Sequence, residues 1–127
     1  MALEIPVFNI GFLEAATDLS TKQFYCVKVT ADKTVNLTSA AGETALGILQ
    51  NKPSVATDVA DVMVLGVSKV MIGAGGLTAG TVWEAAADGT AIAATTGKVG
   101  MGTVLIGGAA TTLATVTVGF AQGNTLA

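Results

Sequence analysis

The chain never runs far without a turn. From Phe24 onward, short runs rich in β-branched and aromatic residues are cut every 6–12 positions by Gly, Pro, Asp or Asn, and this rhythm restricts the fold more than any other feature. Phe24 to Thr30 reads as a strand, Ala31-Asp32-Lys33 as a hairpin turn and Thr34 to Thr38 as the returning strand. Ala45 to Gln50 is a short apolar strand in which Gly47 marks a bulge or a close backbone approach. Asn51-Lys52-Pro53-Ser54 turns the chain, because Pro53 lacks a donor and holds Lys52 extended. Val59 to Val64 alternates, with Val59, Asp61 and Met63 on one face, and Val67 to Ile72 continues beyond Gly66 as one bent strand or two short ones. Gly73 to Gly80 is a glycine-rich loop, and Thr81 to Glu84 a short strand carrying Trp83. Asp88-Gly89 is the strongest hairpin signal, with Ala91 to Ala94 returning from it. After a turn at Thr96-Gly97-Lys98 come the last strands, Val99 to Ile106 and Leu113 to Phe120. About eight to ten short strands without βαβ alternation predict an all-β fold, a small sandwich or barrel.

Residues 1–22 break the rhythm. Ile5, Val7, Phe8, Ile10, Phe12 and Leu13 are apolar, but their spacing is neither helical nor alternating. This segment is expected to be an extended N-terminal arm, with room for a short helix over 11–17, lying over its own domain or over a neighbouring subunit. The domain proper is expected over 23–121, with a peripheral tail over 122–127. The start lacks the basic and apolar regions of a secretory signal. No uncharged stretch reads as a spanning helix, since the segment after Lys98 is interrupted at Gly107-Gly108.

Composition narrows the function. Hydrophobic residues make up 51% of the chain and charged residues only 12%, so a surface of small, weakly charged side chains favours burial against partners. The six basic residues are all lysines (Lys22, Lys28, Lys33, Lys52, Lys69, Lys98), scattered along the chain. Without arginine or a basic stripe, no nucleic-acid partner is expected. Histidine is absent, so the serines and threonines lack the usual base. Ser68 and Lys69 fall on opposite faces of a strand, which excludes them as a catalytic pair. The carboxylate pairs Asp58/Asp61 and Glu84/Asp88 lie in or beside turns, where aspartate is a turn former, and no dense oxygen cluster suits a cation. Gly73-Ala74-Gly75-Gly76 lacks the Gly-Lys-Ser/Thr of a phosphate loop. Cys26, the single cysteine, reads as a small buried hydrophobe. No enzyme activity, cofactor or metal is expected. The residues expected to contact partners are Ile5, Val7, Phe8, Ile10 and Phe12 of the arm; Trp83, a lone tryptophan on a short strand, reads more readily as a core residue and is kept as a further interface candidate.

From Ala45 to Glu84 and beyond, the order of the motifs resembles the capsid cement, or decoration, proteins of tailed bacteriophages. The resemblance rests on the run Ala45-Leu46-Gly47-Ile48-Leu49-Gln50-Asn51-Lys52-Pro53, then Gly66-Val67-Ser68-Lys69-Val70, then Leu77-Thr78-Ala79-Gly80-Thr81-Val82. Ala87-Asp88-Gly89-Thr90-Ala91 and Gly100-Met101-Gly102-Thr103-Val104-Leu105 complete it, over roughly residues 24–120. It implies a non-enzymatic protein on the outer capsid surface, made in the host cytoplasm. Its partners would be the major capsid protein and copies of itself, as a homotrimer or a homodimer, without nucleic acid or membrane. The resemblance transfers no motif to residues 1–22. The composition also suits a fibre, tail or surface-lattice protein, and a carbohydrate-binding β-sandwich is a further alternative.

Overall fold

The computed structural model describes residues 4–95, 98–119 and 123–124. Eleven strands and no helix occur among them: β1 (Ile5–Ala15), β2 (Cys26–Ala31), β3 (Thr34–Leu37), β4 (Gly47–Leu49), β5 (Val59–Met71), β6 (Val82–Ala85), β7 (Ala91–Ala93), β8 (Lys98–Val99), β9 (Gly102–Ile106), β10 (Leu113–Val118) and β11 (Gly123–Asn124). Nine of them form one sheet in the order β1-β3-β2-β4-β5-β10-β9-β6-β7, and β8 pairs with β11. Thr96, Gly97, Phe120 and most of the expected tail lie outside the described residues.

The expected all-β architecture is present, organised around β5. Its first half pairs with β1 and β4, and its second half with β10. Because β1 also pairs with β3, the ladder β1-β3-β2-β4-β5 closes on itself. On the other side, Ile72 just beyond β5 bridges to Ala91 of β7, which links the far end of the β5-β10-β9-β6-β7 row back to its start. The result is two irregular rings sharing one long strand rather than a regular barrel. Each ring has its own core. Leu13, Leu19, Val27, Val35, Leu49 and Val62 fill the first. Ile48, Val70, Ile72, Trp83, Val104 and Val116 lead the second.

Local chemistry places the turns. Lys33 takes a positive φ in the β2–β3 hairpin, and Gly89 does so between β6 and β7. Asp88 tightens that second turn by accepting from the Thr90 amide at 3.2 Å and from its hydroxyl. Gly47 is the close approach anticipated from sequence: a side chain there would run into the Met63 carbonyl of β5.

The suggested helix over 11–17 does not form. Those residues continue β1 to Ala15, hydrogen-bonded to β5 and β3. The period was unreadable because the register with β5 shifts at three places, between Pro6 and Phe8, Phe8 and Asn9, and Ile10 and Leu13. Each extra residue reverses the in–out alternation that a strand normally shows.

Cys26 is fully buried, and burial first, then the nearby Asp88 charge, pushes its thiol up to about 12 from an ordinary 9.0. The folded thiol therefore keeps its proton where the unfolded chain loses it, so stability is complete below pH 9 and falls as pH rises toward 12. Relative to Cys26→Ala, the native chain should lose up to about 1.4 kcal/mol per pH unit above 9. Denaturant titrations of both chains at pH 8, 9 and 10 test this, and a constant difference between them would count against it.

Candidate functional site

The strongest candidate is the outward face of β1. Ile5, Val7, Phe8 and Phe12 are 59%, 64%, 56% and 65% exposed, gathered on one strand rather than scattered singly. The register breaks explain why so many face out. Val7 lies in the break between paired Pro6 and Phe8, and Gly11 and Phe12 in the break between paired Ile10 and Leu13. A bulged residue escapes the alternation and turns its side chain to solvent. From Ile5 to Leu13 the strand carries no charge. At its far end Glu14 and Lys33 pair at 3.6 Å, giving the apolar face a polar border.

This face is a side-chain surface rather than a free edge for strand addition. Only Glu14 and Ala15 of β1 are paired on the β3 side, which leaves the rest of that edge open. Pro6 lacks a donor and the bulges kink the ladder, two devices that discourage edge-to-edge pairing.

Of the six expected contact residues, the structure brings Ile5, Val7, Phe8 and Phe12 onto one strand surface. Ile10 faces the other way and packs against the first core. Trp83 is removed from any surface role: its side chain is completely enclosed, and the indole N–H donates to the Thr117 carbonyl at 3.1 Å. β6 lies between β7 and β9 with this position pointing inward, so Trp83 is a core residue. Sequence reasoning missed Val59, which is 57% exposed and directly opposite Glu14. The signal was available, because the alternation through Val59 to Val64 placed it on the side of Asp61.

The carboxylates do structural work. Asp58 accepts from the Ser54 and Val55 amides at 3.0 and 3.3 Å and closes their turn. Asp18 accepts from the Ser20 amide, and the Ser20 bonds hold its carboxyl below the usual range. Glu84 departs from the turn role expected of it: it is 1% exposed in mid-strand, where its Oε1 takes the Thr95 amide at 2.9 Å. Ser68 is buried while the neighbouring Lys69 reaches outward over the Phe24 ring, so the two do diverge.

A second concavity, of about 440 Å³, lies among the loops after β5, β6 and β9, with Tyr25, Thr90 and Thr111 at its wall. Asp88 is its carboxylate, held below the usual range chiefly by the Thr90 hydroxyl. Lys22 sits over the Tyr25 ring at 4.8 Å. Among the described residues, no group of three potential ligands converges to hold a metal.

No family model matches the sequence, and no curated protein matches it. Among solved structures, the N base of head fiber gp8.5 in bacteriophage phi29 aligns over 87% of this chain and 94% of that one. The TM-score is 0.67 at 13% sequence identity, so the two chains share a fold.

Proposed function

We propose that this chain is a non-enzymatic structural protein of a tailed-phage head, a cement protein that holds to the outer shell through the exposed face of β1. The single observation that carries the reading is that uncharged face, built by bulges so that Ile5, Val7, Phe8 and Phe12 all stand in solvent. The fold shared with a head fiber base and the motif order from Ala45 to Leu105 support a place on the head. Bridging works by burial. Each Å² of apolar surface removed from water at a seam contributes on the order of 25 cal/mol before association costs. Repetition around a shell multiplies weak contacts. The major capsid protein is the proposed partner, together with further copies of this chain.

The test is a Phe8→Ser/Phe12→Ser variant, mixed with expanded heads of the encoding virus and measured by co-sedimentation. Both side chains are exposed, so the variant keeps its fold. Attachment should weaken at least about tenfold, given about 1.5–3 kcal/mol per large apolar side chain buried. Unchanged attachment would reject the β1 face as the contact. A second reading, the base of a head fibre, draws on the same structural neighbour. Electron microscopy of virions separates the two, because a fibre base sits beneath a projecting stalk and a cement protein covers the shell lattice.

A further inference from the structure

We propose that the first half of β1, residues 5–12, exchanges between copies of this chain, each copy laying its strand on the β5 of another. The inference extends the reading of β1 as a contact surface but requires no capsid.

The two halves of β1 are held very differently. Leu13 and Ala15 are buried in the first core. The amides of Glu14, Ala15 and Ala16 donate to the carbonyls of Lys33, Asp58 and Val35 at 2.7, 2.9 and 2.9 Å, and Thr57 donates to Ala15 at 2.9 Å. This half is fixed. In the first half, only Ile10 packs against a core. All three register breaks fall between Pro6 and Leu13. The Asn9 side-chain oxygen is enclosed without a hydrogen-bond donor among the described residues, a cost the strand bears while it stays in place. Gly11 lies near the end of the exchanging half, two residues before the fixed Leu13, and a side chain there would meet nothing within 4 Å. It is the hinge about which the segment can swing.

The occupant of the vacated β5 edge follows from the same pairing. That edge, from Val62 to Val67, already pairs with Ile5, Pro6, Phe8, Asn9 and Ile10, bulges included, and another copy carries the identical segment. Ladder bonds broken within one chain are remade between chains, so exchange has little net cost in bonding. Where two chains cross, Phe12 and Val59, exposed in the single chain, gain a neighbour to be buried against. Cis pairing wins in dilute solution, and crowding of copies on a lattice shifts the balance by raising their local concentration.

Phe8 and Leu65 are partners across the β1–β5 ladder, and such pairs lie within disulfide reach. Chains carrying Phe8→Cys are mixed with chains carrying Leu65→Cys at high concentration, then oxidised. The native Cys26 is buried and does not compete. A disulfide-linked heterodimer should form, at least about tenfold above a control in which Val29→Cys replaces Leu65→Cys, since Val29 is exposed on β2, away from the exchanging edge. A single dilute chain with both Phe8→Cys and Leu65→Cys should close internally. Heterodimer at the control level, or failure of the internal bond, overturns the proposal. Loss of head attachment has no bearing on this readout, so the two readings fail separately.

Discussion

Replacing Trp83 with alanine should lower the melting temperature by roughly 10–20 °C, as measured by calorimetry or near-ultraviolet circular dichroism. The side chain is fully enclosed among Val104, Val116 and Val118 in the second core. Truncating a buried tryptophan removes its transfer energy and leaves a cavity that rigid strands cannot collapse into, about 3–5 kcal/mol together. The loss also removes the indole N–H that the Thr117 carbonyl accepts, a buried hydrogen bond that truncation leaves unmade. Against a net stability of about 5–15 kcal/mol for a domain, that is a large fraction. Trp83→Phe should cost less, because it keeps most of the volume and loses mainly the hydrogen bond. A melting temperature within about 3 °C of the native chain for Trp83→Ala would place the indole outside the core.

Trp83 and Phe8 contrast in burial, and the proposed function follows that contrast. Of its large aromatic side chains, the one most often found at binding hot spots is committed to packing, while Phe8 and Phe12 of β1 stand in solvent. The body of two fused rings acts as the rigid frame. The bulged strand along its side, fixed at Glu14 to Ala16 and carrying exposed apolar side chains before them, is the part through which the proposed contact with another molecule would run.

How much of this could be read from the sequence depended on how local the cause was. The hairpins at Asp32-Lys33 and Asp88-Gly89, the bend at Gly66 and the close approach at Gly47 follow from residues within a few positions, and each was legible. The all-β class followed from the same turns. β1 was not legible as a paired strand, because its bulges erase the alternation that would have announced it. The parallel contact of Glu14 and Ala15 with β3 closes the first ring, and nothing local encodes it. The burial of Glu84 was hidden for a related reason: its partner Thr95 arrives from the opposite side of a hairpin, so its proximity to the Asp88 turn suggested exposure. At the candidate site, residue type pointed to the segment, but telling the exposed Ile5, Val7, Phe8 and Phe12 from Ile10 required the register.

Gly66→Ala should detach β1 selectively before it unfolds the rest. Gly66 has φ near +136°, a conformation essentially restricted to glycine, and lies opposite Pro6 at the bend of β5. A Cβ there would stand 2.6 Å from the Ile5 carbonyl oxygen and 2.8 Å from the Val7 amide nitrogen. Both atoms are backbone, so no side chain can swing away to make room. The strain of the disallowed φ, of order 1–3 kcal/mol, adds to that clash. On the other edge of β5, Val118 pairs with Gly66 and is buried in the second core, which resists displacement. The first half of β1 has little core packing to oppose its release, so relief should come there. Hydrogen exchange should therefore accelerate at least about tenfold at residues 5–10 in Gly66→Ala, while amides of β10 and β6 keep their protection. The clash is present in every copy, so the released strand gains no place on the β5 of a second Gly66→Ala chain either. Exchange accelerated equally across all strands would mean that β1 and the frame unfold as one unit, and the division of β1 into a fixed and a releasable half would then be wrong.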